Sequence, residues 1–148
     1  MVDDDARHDD GDRDEQQRYV DEMVRRRGYV LDYHRVMAAH DLPVLKAANE
    51  LVSAAYLEER SLDRRTKELL FVLSLTVVRA ERHHIASHIR VALQHGATPQ
   101  EILEAIEIAL PQAGVVAFQH GFDVWREVVG AEGIEPSPDV LPHPETRN

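Results

Sequence analysis

The sequence predicts an all-α domain, and three observations carry that prediction. No stretch alternates apolar and polar residues with a period of two, and no Asn-Gly or Asp-Gly pair marks a hairpin. The segment "TPQEILEAIEIAL" opens with Thr98 as cap, Pro99 at the first helical position and Glu101 three residues after the cap, which is a capping box. The longest apolar run, Leu69 to Val78, grows without a turn out of the amphipathic start "TKELL", as a helix entering a core does.

Taken in order, residues 1–15 hold eight acids against Arg7 and Arg13, so −6 of the formal net charge of −10 belongs to them. They lack apolar periodicity and are expected to be a disordered acidic tail. A helical domain is expected over residues 16–130. Tyr19 to Arg27 forms a first short helix, punctuated by Gly28. Tyr29 to His40 forms a second, with Val30, Tyr33, His34 and Met37 at helical spacing. Asp41 caps a third, with Pro43 in its first turn, running to about Glu59 and carrying Leu45, Ala48, Leu51, Val52 and Ala55 on one face. Asp63 caps the next helix, whose Leu69–Val78 part is apolar almost all round and therefore expected to be buried and central. A histidine-bearing helix then ends at Gly96. After Thr98, Ile102, Leu103, Ile106, Ala109 and Leu110 share a face opposite Glu101, Glu104 and Glu107. Pro111 and Gly114 stop that helix, and a last one runs from Val115 to Val129. Residues 131–148 hold four of the seven prolines and read as an extended C-terminal arm.

Composition narrows the function. There is no cysteine, so no disulfide, thiolate nucleophile or cysteine–metal site can exist. Outside the acidic tail about −4 of charge remains, which speaks against nucleic-acid binding, where a basic stripe is needed. The longest apolar run falls short of the ~20 residues of a membrane span. The start "MVDDDARHDD" lacks the basic and apolar regions of a signal peptide, so a cytoplasmic location is expected.

The chemistry concentrates in "AERHHIASHI", residues 80–89. At 100° per residue Glu81, His84, His88, Val91 and His95 lie within about 80° of one another, beside the apolar stripe of Ile85, Ile89 and Ala92, while His83 points sideways. The histidines thus border the buried face, where a small-molecule pocket forms. Spacing alone leaves three readings open. His84 and His88 at i and i+4, with Glu81, match half of a helical metal site. Imidazoles oriented by a carboxylate can shuttle protons. Exposed histidines can simply decorate a helix. Glu68 reads either as a functional carboxylate or as an acid favoured early in its helix by the dipole. His120 reads either as a site residue or as a histidine packed at the core edge beside Phe118 and Phe122. Tyr33 and Trp125 read as core or interface residues.

From Leu62 to Val129 the chain resembles the carboxymuconolactone decarboxylase family, which shares the alkylhydroperoxidase-D-like fold. "LDRRTKELLFVLSL" is similar to the start of the family's central helix, "HIRVALQHGATPQEILEAI" to its histidine helix, glycine turn and capped helix, and "AGVVAFQHGFDVW" to its last core helix. In the family's peroxidase branch a Cys-x-x-Cys pair stands at the positions of Glu81 and His84, so the resemblance excludes a thiol peroxidase here. That branch's proton relay has its glutamate at Glu68 and its histidines at His83 and His88. In the decarboxylase branch a His-Leu-Arg-type segment resembles His88-Ile89-Arg90, and an Asn-His-Ala-Phe-like segment resembles Gln119-His120-Gly121-Phe122. That branch carries a glutamate where this chain has His84.

The resemblance implies a cofactor-free lyase acting on a small carboxylated lactone or unsaturated acid of the kind met in aromatic-compound catabolism. His88 is then the proton donor, oriented by Glu68, with His84 stabilising negative charge, His120 closing the pocket, and Arg90, Arg82 or His83 holding the substrate. One alternative is a divalent metal held by His84, His88 and Glu81 or His120, serving hydrolysis, hydration or oxygen chemistry. Another is a non-catalytic oligomer that binds a small ligand. The resemblance also implies self-association, as a homo-trimer or a hexamer built as a trimer of dimers, with neither nucleic acid nor membrane as partner.

Overall fold

Caps written in the sequence set most of the helix ends. The computed structural model describes the backbone of residues 5–130 and the side chains from Gly11 onward. Its helices are α1 (Asp5–Arg27), α2 (Asp32–His40), α3 (Leu42–Val52), α4 (Arg64–Val77), α5 (Arg82–Gln94), α6 (Pro99–Glu107), α7 (Ala109–Ala113) and α8 (Val115–Val129). No strand occurs among the described residues, so the fold is all-α. The Asp41 carboxylate accepts from Val44 N, the Asp63 carboxylate from Thr66 N, and Thr98 and Glu101 close the capping box in both directions.

Besides α2, which begins at Asp32 rather than at Tyr29, three boundaries differ from the sequence reading. Helix α1 begins at Asp5, so the acidic segment expected to be disordered through residue 15 is helical from that point. Arg25, Arg26 and Arg27 fill its last turn, which suits the negative end of the helix dipole. Glu15 further pairs with Lys46 of α3 at 2.6 Å. Second, α3 passes into a π-helical turn over Ser53–Leu57, closed by the bond from Glu58 N to Ser53 O at 3.0 Å. Third, the helix after Thr98 divides into α6 and α7, with Pro111 in the first turn of α7, where its missing N–H costs nothing. Residues 1–4 and the proline-rich arm over 131–148 lie outside the described residues.

Two apolar clusters hold the helices. Val20, Met23, Ala38 and Leu45 pack α1, α2 and α3 together. The larger cluster joins α4, α5, α6 and α8 through Val72, Ile85, Ile89, Ala92, Ile102, Ile106 and Val124. Gly28 links the halves. Its φ of +88° is a left-handed conformation that ends α1, and a Cβ there would lie 3.2 Å from Val91 of α5. Helix α4 is central, packing against α5, α6, α7 and α8, but it is not buried all round as its composition suggests. Its fully covered residues, Glu68, Val72 and Thr76, form a single i, i+4 stripe, whereas Leu70 and the C-cap residue Val78 are exposed.

The stripe meets α8 at Gly121. A Cβ on Gly121 would lie 2.5 Å from both Thr76 Cγ2 and Thr76 Oγ1, so the two helices approach too closely for any side chain there. Glycine to alanine in an exposed helix interior gains ~1 kcal/mol. Here overpacking reverses the sign. Gly121→Ala should destabilise by about 1–3 kcal/mol in urea unfolding, and Thr76→Ala in the same chain should recover most of the loss.

Candidate active site

Most of the fully buried polar side chains of α4 and α5 meet at one point. Glu68 on α4 and His88 on α5 are each completely buried, and His88 Nδ1 lies 2.7 Å from Glu68 Oε2. Because the acceptor is a carboxylate, the Nδ1–H donates. Tyr56, carried by the π turn, donates its hydroxyl to the other oxygen, Glu68 Oε1. Arg64, one helical turn before Glu68, donates from Nε to the same Oε1 at 2.5 Å and from Nη2 to Tyr56 Oη at 2.8 Å. Burial pushes the Glu68 carboxyl up, but hydrogen bonds from His88, Tyr56 and Arg64 outweigh it and hold the group below its ordinary value. Glu68 is therefore an ionised carboxylate inside the core. Tyr56 is moved the other way: burial, and then its bond to Glu68, raise its pKa.

The far side of the imidazole meets Tyr29, in the link between α1 and α2. Tyr29 Oη lies 3.1 Å from His88 Nε2. Burial raises the Tyr29 phenol to about 12, so it keeps its proton at neutral pH. Phe71, on α4, stacks flat on the His88 ring at 4.5 Å and 8°, and Tyr56 packs on Phe71 at 4.7 Å. The result is a continuous chain, Glu68–His88–Tyr29, fixed on three sides by rings. Neutral His88 keeps Nδ1–H on Glu68 and accepts from the Tyr29 hydroxyl at Nε2. Protonated, it donates at both nitrogens to the same partners. The proton can thus shift between His88 and Tyr29 with the same heavy-atom partners.

The other residues singled out from the sequence fall in different places. His84 stands beside this chain, its ring 5.3 Å from that of His88 and 6.5 Å from that of Tyr29. It is half-buried, and burial, then His88 and His83, lower its pKa. His120 does not close the site. Its Nε2–H donates to Ala80 O at 2.8 Å and so pins the turn between α4 and α5 to α8. Arg82 is exposed and paired with Glu127 at 2.5 Å, Arg90 is exposed two residues along the helix from His88, and His83 and Glu81 are exposed at the start of α5. A two-residue step turns Arg90 some 200° away from His88, so it cannot face the same point. The buried site arginine is instead Arg64.

Nor does the metal-ligand set converge. Among the described residues no group of three or more histidines, aspartates or glutamates is placed to hold a metal ion. Both nitrogens of His88 already have partners, and His120 is engaged at Ala80.

Tyr29, Tyr56, Arg64 and Phe71 are site residues that the sequence reading missed. Arg64 carried a signal, since Arg64 and Glu68 are opposite charges at i, i+4. Tyr29 and Tyr56 carried none, because each reaches the site through a turn rather than through helical periodicity.

The sequence model described as the Carboxymuconolactone decarboxylase family matches residues 43–127, more than half of the chain. The chain belongs to that family. No curated protein matches it at a significant level. The matched segment spans Tyr56, Arg64, Glu68, Phe71 and His88, whereas Tyr29 precedes it.

The polar network continues toward α3. Arg64 Nη2 donates to Arg27 O at 2.7 Å, and the Arg27 side chain meets His34 Nε2 at 3.1 Å. Burial, reinforced by the Arg27 charge, lowers His34 to about 4, so it is neutral in the fold. A histidine whose folded pKa lies below its unfolded 6.5 stabilises the fold fully above pH 6.5 and loses that contribution as pH falls toward 4. The wild type should therefore lose on the order of 3 kcal/mol more than His34→Gln between pH 7 and pH 4. Urea unfolding of both proteins across that range measures the difference. Parallel curves would show that His34 is not buried neutral.

Proposed function

We propose that this family member catalyses cofactor-free proton transfer coupled to loss of CO2 from a small carboxylated lactone or unsaturated acid. The observation that carries the reading is the buried Glu68–His88 pair ending on the Tyr29 hydroxyl. A thiol route is closed, since the chain has no cysteine. What remains is a proton relay whose carboxylate is held ionised and whose terminal phenol stays protonated.

The chemistry balances with these groups. In a substrate whose carboxylate lies next to a conjugated carbonyl, the C–C bond to the carboxylate breaks and CO2 leaves. The electron pair passes into the conjugated system as a dienolate. Tyr29 Oη then delivers a proton to carbon, and protonated His88 returns one to Tyr29 from Nε2. Glu68 stays ionised throughout, stabilising the imidazolium and fixing its orientation. His84, half-buried next to Tyr29 and with no hydrogen-bond partner among the described residues, is the group available to contact the dienolate oxygen. One proton is consumed per turnover, and it comes from solvent.

Self-association is part of the same reading. Leu70 on α4, Val78 at its C-terminal cap, and Val115 and Val116 on α8 are exposed apolar side chains that a neighbouring subunit would cover. Light scattering at micromolar concentration should give a mass of three or six chains. A mass near 16.8 kDa, that of one chain, would refute this.

Activity is tested by following small carboxylated lactones and unsaturated acids in D2O by NMR, where turnover appears as CO2 release with one deuteron incorporated. His88→Gln and Tyr29→Phe should each lower turnover by about 100-fold or more, while Arg90→Gln should change it by no more than about twofold. Equal effects of all three would refute the relay.

A further inference from the structure

Arg27 is a buried cation with no counter-ion among the described residues. It is 4 % exposed, and its partners are both neutral: His34 at Nη1 and the Asn49 side-chain oxygen at Nη2. Among the described residues no carboxylate pairs with it, and its Nε has no hydrogen-bond partner. A buried guanidinium in that condition is costly, and structures keep one where an anion completes it.

The place for an anion adjoins it. A cleft of about 400 Å³ runs between α1 and the α3–π segment, and Arg27 lines it together with Asn49, Ser53, Met23, Ala54 and Leu57. Its volume falls in the range of about 300–1,000 Å³ that small-molecule sites occupy. Ser53, 7 % exposed, also lines the cleft, and its hydroxyl too has no hydrogen-bond partner among the described residues. Ser53 opens the π turn, a widened geometry that recurs at functional sites. The other cations on the cleft are already matched, Arg26 with Glu58 at 3.8 Å and Lys46 with Glu15 at 2.6 Å. Its acids Glu22, Glu50 and Glu58 are exposed, and Glu22 is taken up by Arg25. Two buried donors without an acceptor among the described residues thus belong to residues that line one cleft, where Met23, Ala54 and Leu57 give the apolar part of a wall that is otherwise polar and charged.

We infer that this cleft is a second ligand site, for a small organic carboxylate whose charged end takes the Arg27 Nε–H and the Ser53 hydroxyl and whose apolar body lies on Met23 and Leu57. It is separate from the Glu68–His88 relay. The two are nonetheless joined, since Arg64 donates to the Arg27 carbonyl and to Glu68.

Benzoate titrated into the full-length protein tests this, by calorimetry and by the Arg27 Nε–H resonance in NMR. The wild type should bind with a dissociation constant on the order of 1 mM or tighter, and the Arg27 Nε–H resonance should shift. Ser53→Val should weaken binding about tenfold, as expected for one lost hydrogen bond to a charged group. Ala54→Trp, which fills the cleft from an exposed position and so leaves folding intact, should abolish it. His88→Gln should leave it unchanged, so that failure of the relay and failure of this site are told apart. Absence of benzoate binding, binding that survives Ala54→Trp, binding lost in His88→Gln, or inorganic phosphate binding as tightly as benzoate would each overturn the inference.

Discussion

An ionised carboxylate inside the core is the constraint around which the rest is arranged. Glu68 sits at zero exposure on the innermost stripe of α4, and a carboxylate there costs several kcal/mol unless it is fully hydrogen-bonded. The chain supplies donors from three directions: Arg64 from the preceding turn of the same helix, Tyr56 from the π turn, and His88 from α5. Each donor dictates a local structure. Arg64 must lie at the start of α4, just inside the Asp63 cap. Tyr56 is carried by the segment in which α3 widens into a π turn. His88 must fall on the same stripe of α5 as Ile85 and Ala92, inside the core rather than at its lip. Removing any one donor leaves part of the buried charge unsatisfied, so stability and the proposed chemistry rest on the same groups.

The helices were legible because their signals are local. Asp41, Asp63 and the Thr98–Glu101 box mark their helix starts, Gly28 and Gly96 follow helix ends, and the last helix runs from Val115 to Val129 as its residues suggest. The histidine helix and the pairing of Glu68 with His88 were legible too, the first from spacing and the second from family resemblance. What escaped is what the third dimension decides. Tyr29 lies 59 residues from the histidine it meets. The acidic N-terminal segment looked unable to fold because its composition is so polar, yet dipole matching and the Glu15–Lys46 pair suit it to a helix. Arg90 lies on the exposed side of α5, turned away from His88, Arg82 is paired with Glu127, and His120 braces the α4–α5 turn.

The arginines divide the molecule's polar work. Those on the exposed face of α5 make a surface pair or none, worth little in water. Arg64 and Arg27 are drawn inward, one to neutralise Glu68, the other with no counter-charge among the described residues, beside an open cleft. They are tied by a single hydrogen bond from Arg64 to the Arg27 carbonyl, so an anion held at Arg27 would bear directly on the backbone that Arg64 uses as a brace. The Glu68–His88–Tyr29 chain draws on the link between α1 and α2 as well as on the segment matched to the family, since Tyr29 precedes residue 43.

Nitrogen NMR of the His88 ring tests the central claim most directly. The Glu68–His88–Tyr29 arrangement predicts a proton on Nδ1 in both charge states, with Nε2 unprotonated in the neutral form and its signal altered in Tyr29→Phe. A neutral ring that carries its proton on Nε2, with Nδ1 bare and no response to Tyr29→Phe, would contradict it.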